Sequence, residues 1–259
     1  MLGLGIGVEM VDRTGQEYSA PTYSLSLDGT GDWVDFTETA IPTELTGEDL
    51  SISFWCKRTD NNDEAVILGN SNTRWWNNLL FDIDGNVLRI ESETDGEYAY
   101  ASVTQDTNWH HYVVTALGVG AGSGGESTVK FYEDGSDITG TGDNQNFGNA
   151  VDESDFIIDR IGSNTGGGGG NTAADGEFKG LIYQLAIYDS VLSATEAAAI
   201  YNSGTPIPLQ SDSGNYVSSH QLTHLWRFNE NTGSTTADSE GLLLGTFAGN
   251  AAFSSTTPS

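Results

Sequence analysis

The stretch from Trp109 to Gly204 constrains the fold more than any other part of the chain. It reads WHHYVVTALG, a Gly/Ser break, STVKFYEDGSDI, IIDRIG, a glycine run, and then GEFKGLIYQLAIYDSVLSATEAAAIYNSG. Apolar and polar residues alternate over short spans, which is the period of a half-buried strand. Asp-Gly pairs at 28–29, 84–85, 95–96, 134–135 and 175–176 punctuate the chain. Asp-Gly supplies the positive-φ residues of tight hairpins, so repeated pairs favour antiparallel β structure. One segment reads as helix. SATE at 193–196 is a capping box, with Ser193 at the N-cap and Glu196 reaching back. It predicts a helix over about 194–201 that stops before Gly204.

The upstream half reads the same way. Residues 22–36 give two strand pieces around Asp28-Gly29, with Leu25, Leu27, Val34 and Phe36 as core candidates. In 50–57, Leu50, Ile52, Phe54 and Cys56 face one way and Ser51, Ser53, Trp55 and Lys57 the other. Hairpins are expected at Asp84-Gly85 and Asp95-Gly96, and the glycine run 166–170 is read as a flexible connection. The expected fold class is all-β, a two-sheet antiparallel jelly-roll sandwich with one short helix near 194–201. The expected organisation is an arm over 1–20, the sandwich over 21–204, and a segment over 205–259 that supplies displaced strands to the same sandwich.

Charge narrows the partners. Nine Lys/Arg against 37 Asp/Glu give a net charge of −28, which would repel a phosphate backbone and an acidic membrane surface alike. Neither nucleic acid nor membrane is expected. The 26 aromatic residues (10 Phe, 10 Tyr, 6 Trp) argue for a packed core. Cys56 is the single cysteine, so no intramolecular disulfide forms. That suits synthesis in a reducing cytosol. The N-terminal MLGLGIGVEM lacks a basic n-region and reads as neither signal peptide nor membrane span.

The ordered strand run, the Trp-His-His strand at 109–111 and the GLIYQLAIYDSVLSATEAAAIY segment resemble the second half of a laminin-G-like or pentraxin-like jelly roll. Such domains lie within the concanavalin A-like lectin/glucanase superfamily. The tail LTHLWRFNENTGSTTADSEGLLLGTF resembles that family's opening strands, here placed last. CKRTDNNDEAVIL at 56–68 resembles the pentraxin segment in which an Asp-Asn pair binds calcium. The resemblance therefore implies a weak calcium site at Asp60 and Asn61, with Asn164 as an amide ligand and Asp175 or Glu177 approaching from the far end of the second loop. The acidic run that completes the pentraxin site is missing, so a complete double-calcium site is not expected, and calcium is the one cofactor left open.

Other motifs also fit plain structural roles. Glu93-Thr94-Asp95-Gly96-Glu97 matches the E-x-D-x-E pattern of the superfamily's laminarinase-type glucanases, but Asp95-Gly96 reads as a hairpin tip. That would spread the carboxylates a retaining hydrolase needs on one face. His220 and His224 are four apart in a β region, not a helical zinc pair. Trp75-Trp76 is a ligand-binding candidate, because adjacent strand residues face opposite ways and one ring is free to stack on a sugar or fill an interface.

Three functional classes follow. The first is a non-enzymatic virion structural protein, a bacteriophage capsid decoration, head-fibre or tail-associated module. The chain resembles marine bacteriophage proteins with a short MLGLG-like start before such a domain. In this reading Leu2, Leu4, Ile6 and Val8 form an assembly arm that adds to a sheet edge of another virion protein or of a second copy, and the protein is made in the host cytoplasm. The alternative is a glycan-binding lectin or adhesin, extracellular or at a cell surface, calcium-dependent or not. A glycoside hydrolase is the third.

Overall fold

The computed structural model describes residues 20–36, 48–59, 65–71, 78–82, 86–91, 98–119, 128–145, 158–164, 176–241 and 243–259. The first strands are β1 (Ser24–Asp28), β2 (Trp33–Phe36), β3 (Glu48–Arg58), β4 (Ala65–Gly69), β5 (Asn78–Asp82) and β6 (Val87–Glu91). Then come β7 (Tyr98–Ser102), β8 (Trp109–Val119), β9 (Thr128–Glu133), β10 (Ser136–Asp137), β11 (Asp143–Gln145), β12 (Arg160–Ile161), β13 (Gly176–Glu177) and β14 (Lys179–Tyr188). Helix α1 (Ala194–Tyr201) precedes β15 (Leu222–Trp226), β16 (Thr235–Ala237), β17 (Leu244–Ala248) and β18 (Ala252–Ser254).

These strands make two sheets. One has the order β10-β9-β8-β3-β14-β1-β18, with β15 also paired to β14. The other has the order β11-β7-β6-β5-β4-β12-β2-β17-β16, with β13 on β4. The β13–β4 pair is parallel; the other ladders are antiparallel. The fold is thus an all-β jelly-roll sandwich with one short α-helix among the described residues.

Alternation sets the core. Leu50, Ile52, Phe54 and Cys56 of β3, Tyr112, Val114 and Ala116 of β8, and Ile182, Leu185 and Ile187 of β14 join one buried cluster between the sheets. Each large side chain so buried contributes about 1.5–3 kcal/mol. The opposite face of β3 is buried as well. Ser51 and Ser53 are covered, because α1 and residues 205–222 pack over this outer face. There, Val113, Ala186 and Tyr188 meet Ala197, Ile200, Ile207 and Tyr216. The covered serines are satisfied. Ser51 Oγ donates to Ser190 O (2.6 Å) and accepts from Leu192 N (2.9 Å).

The C-terminal segment enters both sheets. β15 pairs with β14, β17 with β2 and β18 with β1. Trp226 stacks on Phe36 with ring centroids 4.5 Å apart. One edge of β14 is shared, with residues 179–182 on β1 and 185–188 on β15. The switch falls at buried Gln184, whose φ is +47°.

Not every expected turn is a hairpin. Asp28-Gly29 carries the chain from β1 in one sheet towards β2 in the other. Gly176 opens β13, parallel to β4. Asp134-Gly135, with φ of +49° and +73°, does turn the β9–β10 hairpin. The pairs at 84–85 and 95–96 lie outside the described residues, although β5–β6 and β6–β7 are antiparallel neighbours. Helix α1 has both capping-box bonds, and its C-cap is Asn202 in the left-handed region, ahead of Gly204. The arm bearing Leu2, Leu4, Ile6 and Val8 lies outside the described residues.

Candidate functional site

The outer phase of β3 and β8 builds a cleft. Trp55 and Lys57 point outward from β3, and Trp109 and His111 from β8; Lys57 is registered with Trp109 and Trp55 with His111. The C-terminal end of α1 brings Tyr201 over them. The cleft has a volume of about 400 Å³ and is lined by Trp55, Lys57, Asn108, Trp109, Tyr201, Ser203 and Gly204, and by buried Pro258 and exposed Ser259.

The aromatic groups are fixed against one another. Trp55, 2% exposed, forms the floor; its ring lies 5.7 Å from Tyr201 and 4.9 Å from His111. Trp109 and Tyr201 are half-buried. The Trp109 ring meets Tyr183 edge-on at 6.4 Å. His111 backs the floor in neutral form, because burial pushes its imidazole down to about 3. Its Nε2 lies 2.9 Å from Ser53 Oγ.

Beside the cleft, on the inward phase of β8, His110 sits among acids. Its Nδ1 is 2.8 Å from Asp134 Oδ2 and its Nε2 is 3.0 Å from Asp106 Oδ1. Glu133 Oε1 stands 3.8 Å from Nδ1. The bond to Asp134 does most to raise the imidazole, to about 9, against the opposing effect of burial, and the Asp106 bond and the acids' charges add to it. Asp106 in turn accepts from the backbone N–H (2.7 Å) and Nδ2 (2.8 Å) of Asn108.

Several sequence candidates lie outside the described residues: Asp60 and Asn61, Trp75 and Trp76, Glu93 and Glu97, and Asp175. Asn164 is half-buried after β12, beside Gly69. Glu177 turns towards Gly31, whose N–H it accepts at 2.6 Å. His224 stacks on Trp226 and pairs with buried Asp238 through Nδ1 at 2.6 Å. Among the described residues no group of three or more His, Cys, Asp and Glu is arranged to hold a metal. No helix among them is long and apolar enough to cross a membrane. Sequence reasoning missed the cleft. The available signal was that Trp55 and Trp109 both occupy the phase opposite the core residues of their strands.

A family model described as the concanavalin A-like lectin/glucanases superfamily matches residues 28–198. A proposed carbohydrate-binding protein from Bacteroides ovatus ATCC 8483 has a similar structure, with a TM-score of 0.63 at 12% identity. The alignment covers 94% of this chain and 62% of that one. A heptameric SAP-like pentraxin from Limulus polyphemus aligns with a TM-score of 0.51 at 14% identity, over 86% of this chain and 94% of its own. At these identities the likeness is one of fold. No curated protein sequence matches the chain.

Proposed function

The chain belongs to the concanavalin A-like lectin/glucanase superfamily, and on that premise we propose that it is a non-enzymatic module that binds glycan in the cleft between β3, β8 and the end of α1. The carrying observation is the cleft's chemistry. Trp109 and Tyr201 line it beside Trp55, and Lys57, Asn108 and Ser203 add polar groups to the same lining. A sugar ring needs this pairing, because its C–H face stacks on an aromatic ring while its hydroxyls need fixed hydrogen-bond partners. The lining residues include no Asp or Glu, whereas hydrolysis requires two flanking carboxyl groups. The fold match with a proposed carbohydrate-binding protein supports the same reading. The virion reading rests on residues 1–10, the lone cysteine, the acidic, glycine-rich composition and a resemblance to marine bacteriophage proteins; the comparisons add no support to it.

An array of defined oligosaccharides tests the proposal. The wild-type protein is expected to retain a subset of glycans, and Trp109→Ala to lower that binding at least tenfold, the loss of about 1.4 kcal/mol or more. Its circular dichroism should be unchanged. A wild-type protein that retains no glycan, or a Trp109→Ala variant that binds as wild type does, overturns it.

A further inference from the structure

We propose that His110 is a positioning residue of this cleft, held as the imidazolium between Asp106 and Asp134 so that it ties the loop carrying Asn108 to the turn that backs Tyr201. The inference rests on the cleft being the glycan site, but its geometry involves no sugar.

His110 itself does not line the cleft. Both of its ring nitrogens face carboxylate oxygens, at 2.8 and 3.0 Å. An ionised carboxylate only accepts, so each nitrogen must donate, and only the imidazolium carries two N–H groups. On one side, Asp106 Oδ1, which faces the ring, also accepts from the backbone N–H of Asn108, and Asp106 Oδ2 accepts from its Nδ2; Asn108 lines the cleft. On the other side, Asp134 Oδ1 takes the backbone N–H of His111 at 2.9 Å. The next residue, Gly135, abuts the last turn of α1. A Cβ there would lie 2.9 Å from Ala198 Cα and 3.3 Å from Tyr201 Cβ. Asn108, Asp106, His110, the Asp134-Gly135 turn and Tyr201 therefore form one chain of contacts from wall to wall.

The groups around the ring make its proton decisive. Asp106 faces it from the loop before β8, Glu133 from β9 and Asp134 from the turn after β9. Glu133 is held by Thr104 and by the Tyr112 hydroxyl. Arg58 of β3 reaches Thr104 O at 2.9 Å with its guanidinium over Phe81. The Tyr112 ring lies 6.2 Å away on the same strand. Loss of the His110 proton would set a nitrogen lone pair against a carboxylate and leave these acids without their imidazolium. The clamp is closed at neutral pH and releases as pH rises through about 9.

Two measurements test this. In the first, NMR follows the His110 ring and the Trp109 indole N–H from pH 6 to 10 without sugar. His110 should titrate near 9, and the Trp109 signal should move with the same midpoint. In the second, the oligosaccharide array is probed at pH 7 and 9.5. Wild-type binding should fall about fivefold, and His110→Gln and Asp106→Asn should bind more weakly at pH 7 with the pH dependence lost. Asp106 is at the surface, so its variant decides the matter if His110→Gln does not fold. A His110 midpoint below 7, a Trp109 signal flat across it, or an Asp106→Asn variant with the wild-type pH profile overturns the proposal. Unchanged array binding by Trp109→Ala refutes the glycan site instead and leaves the NMR result standing.

Discussion

His110 and His111 are adjacent, yet one is held charged and the other neutral. A strand turns successive side chains to opposite faces; here one face offers Asp106, Glu133 and Asp134, and the other offers Trp55, Tyr201 and a serine hydroxyl. The two shifts bound stability from both sides. His111 titrates near 3 in the fold against about 6.5 in an unfolded chain. The unfolded state therefore takes up the proton first, and stability falls as pH drops below about 6.5. His110 is raised to about 9, so its stabilisation is complete below about 6.5 and is lost as pH rises through about 9. Urea unfolding from pH 5 to 10 should give a maximum near neutrality. His111→Gln should flatten the acid limb and His110→Gln the alkaline limb. Retention of both slopes in the two variants would show that other groups set them. The sequence placed the two histidines on one strand but not their environments, because Asp134 comes 24 residues after His110 and Tyr201 far later still.

Helix α1 shows how local signals carry an element and where they stop. Ser193 and Glu196 announced the capping box, and both of its bonds form. The sequence could not announce that Glu196 also accepts from Ser218 Oγ at 2.5 Å and from Val217 N at 3.4 Å, since those partners arrive after an irregular connection. The carboxylate thus pins residues 217–218 onto the helix start as well as capping it. Ser193→Ala is expected to cost about 1 kcal/mol. Glu196→Ala should cost about 2–3 kcal/mol, because it leaves buried Ser218 Oγ without that acceptor. Equal losses in thermal or urea melts would mean that the second contact contributes nothing. The same limit applies to the strands. The alternation of Leu50, Ile52, Phe54 and Cys56 correctly named the inner face of β3, but periodicity alone does not say that Ser51, Ser53 and Trp55 are covered too. Asp-Gly likewise specifies backbone conformation, not partner, so 134–135 closes a hairpin while 28–29 crosses between sheets.

For the whole molecule, the order of strands was legible, and so was a tail patterned like an opening strand. The cleft was not, because its walls come from residues 55–57, 108–109, 201–204 and 258–259, which meet only when β3 pairs with β8 and α1 packs on the outer face of that sheet. The sandwich itself depends on residues 222–259. β15 completes one edge of β14, β17 lies on β2, and β18 lies on β1. Trp226 and Phe228 are fully buried in the cluster that holds Phe36. Removing the segment would open ladders in both sheets and expose that cluster at once, and unpaired edges beside apolar surface promote aggregation. A chain ending at residue 221 should therefore lack a cooperative melt and its near-ultraviolet dichroism. Trp226→Ala in the full chain should keep the fold with a loss of about 3–5 kcal/mol. The net charge of −28 adds self-repulsion that salt screens, so both proteins should be compared at one ionic strength. Cooperative unfolding of the shortened chain would mean that residues 20–221 hold a sufficient core, with the last strands only leaning on it.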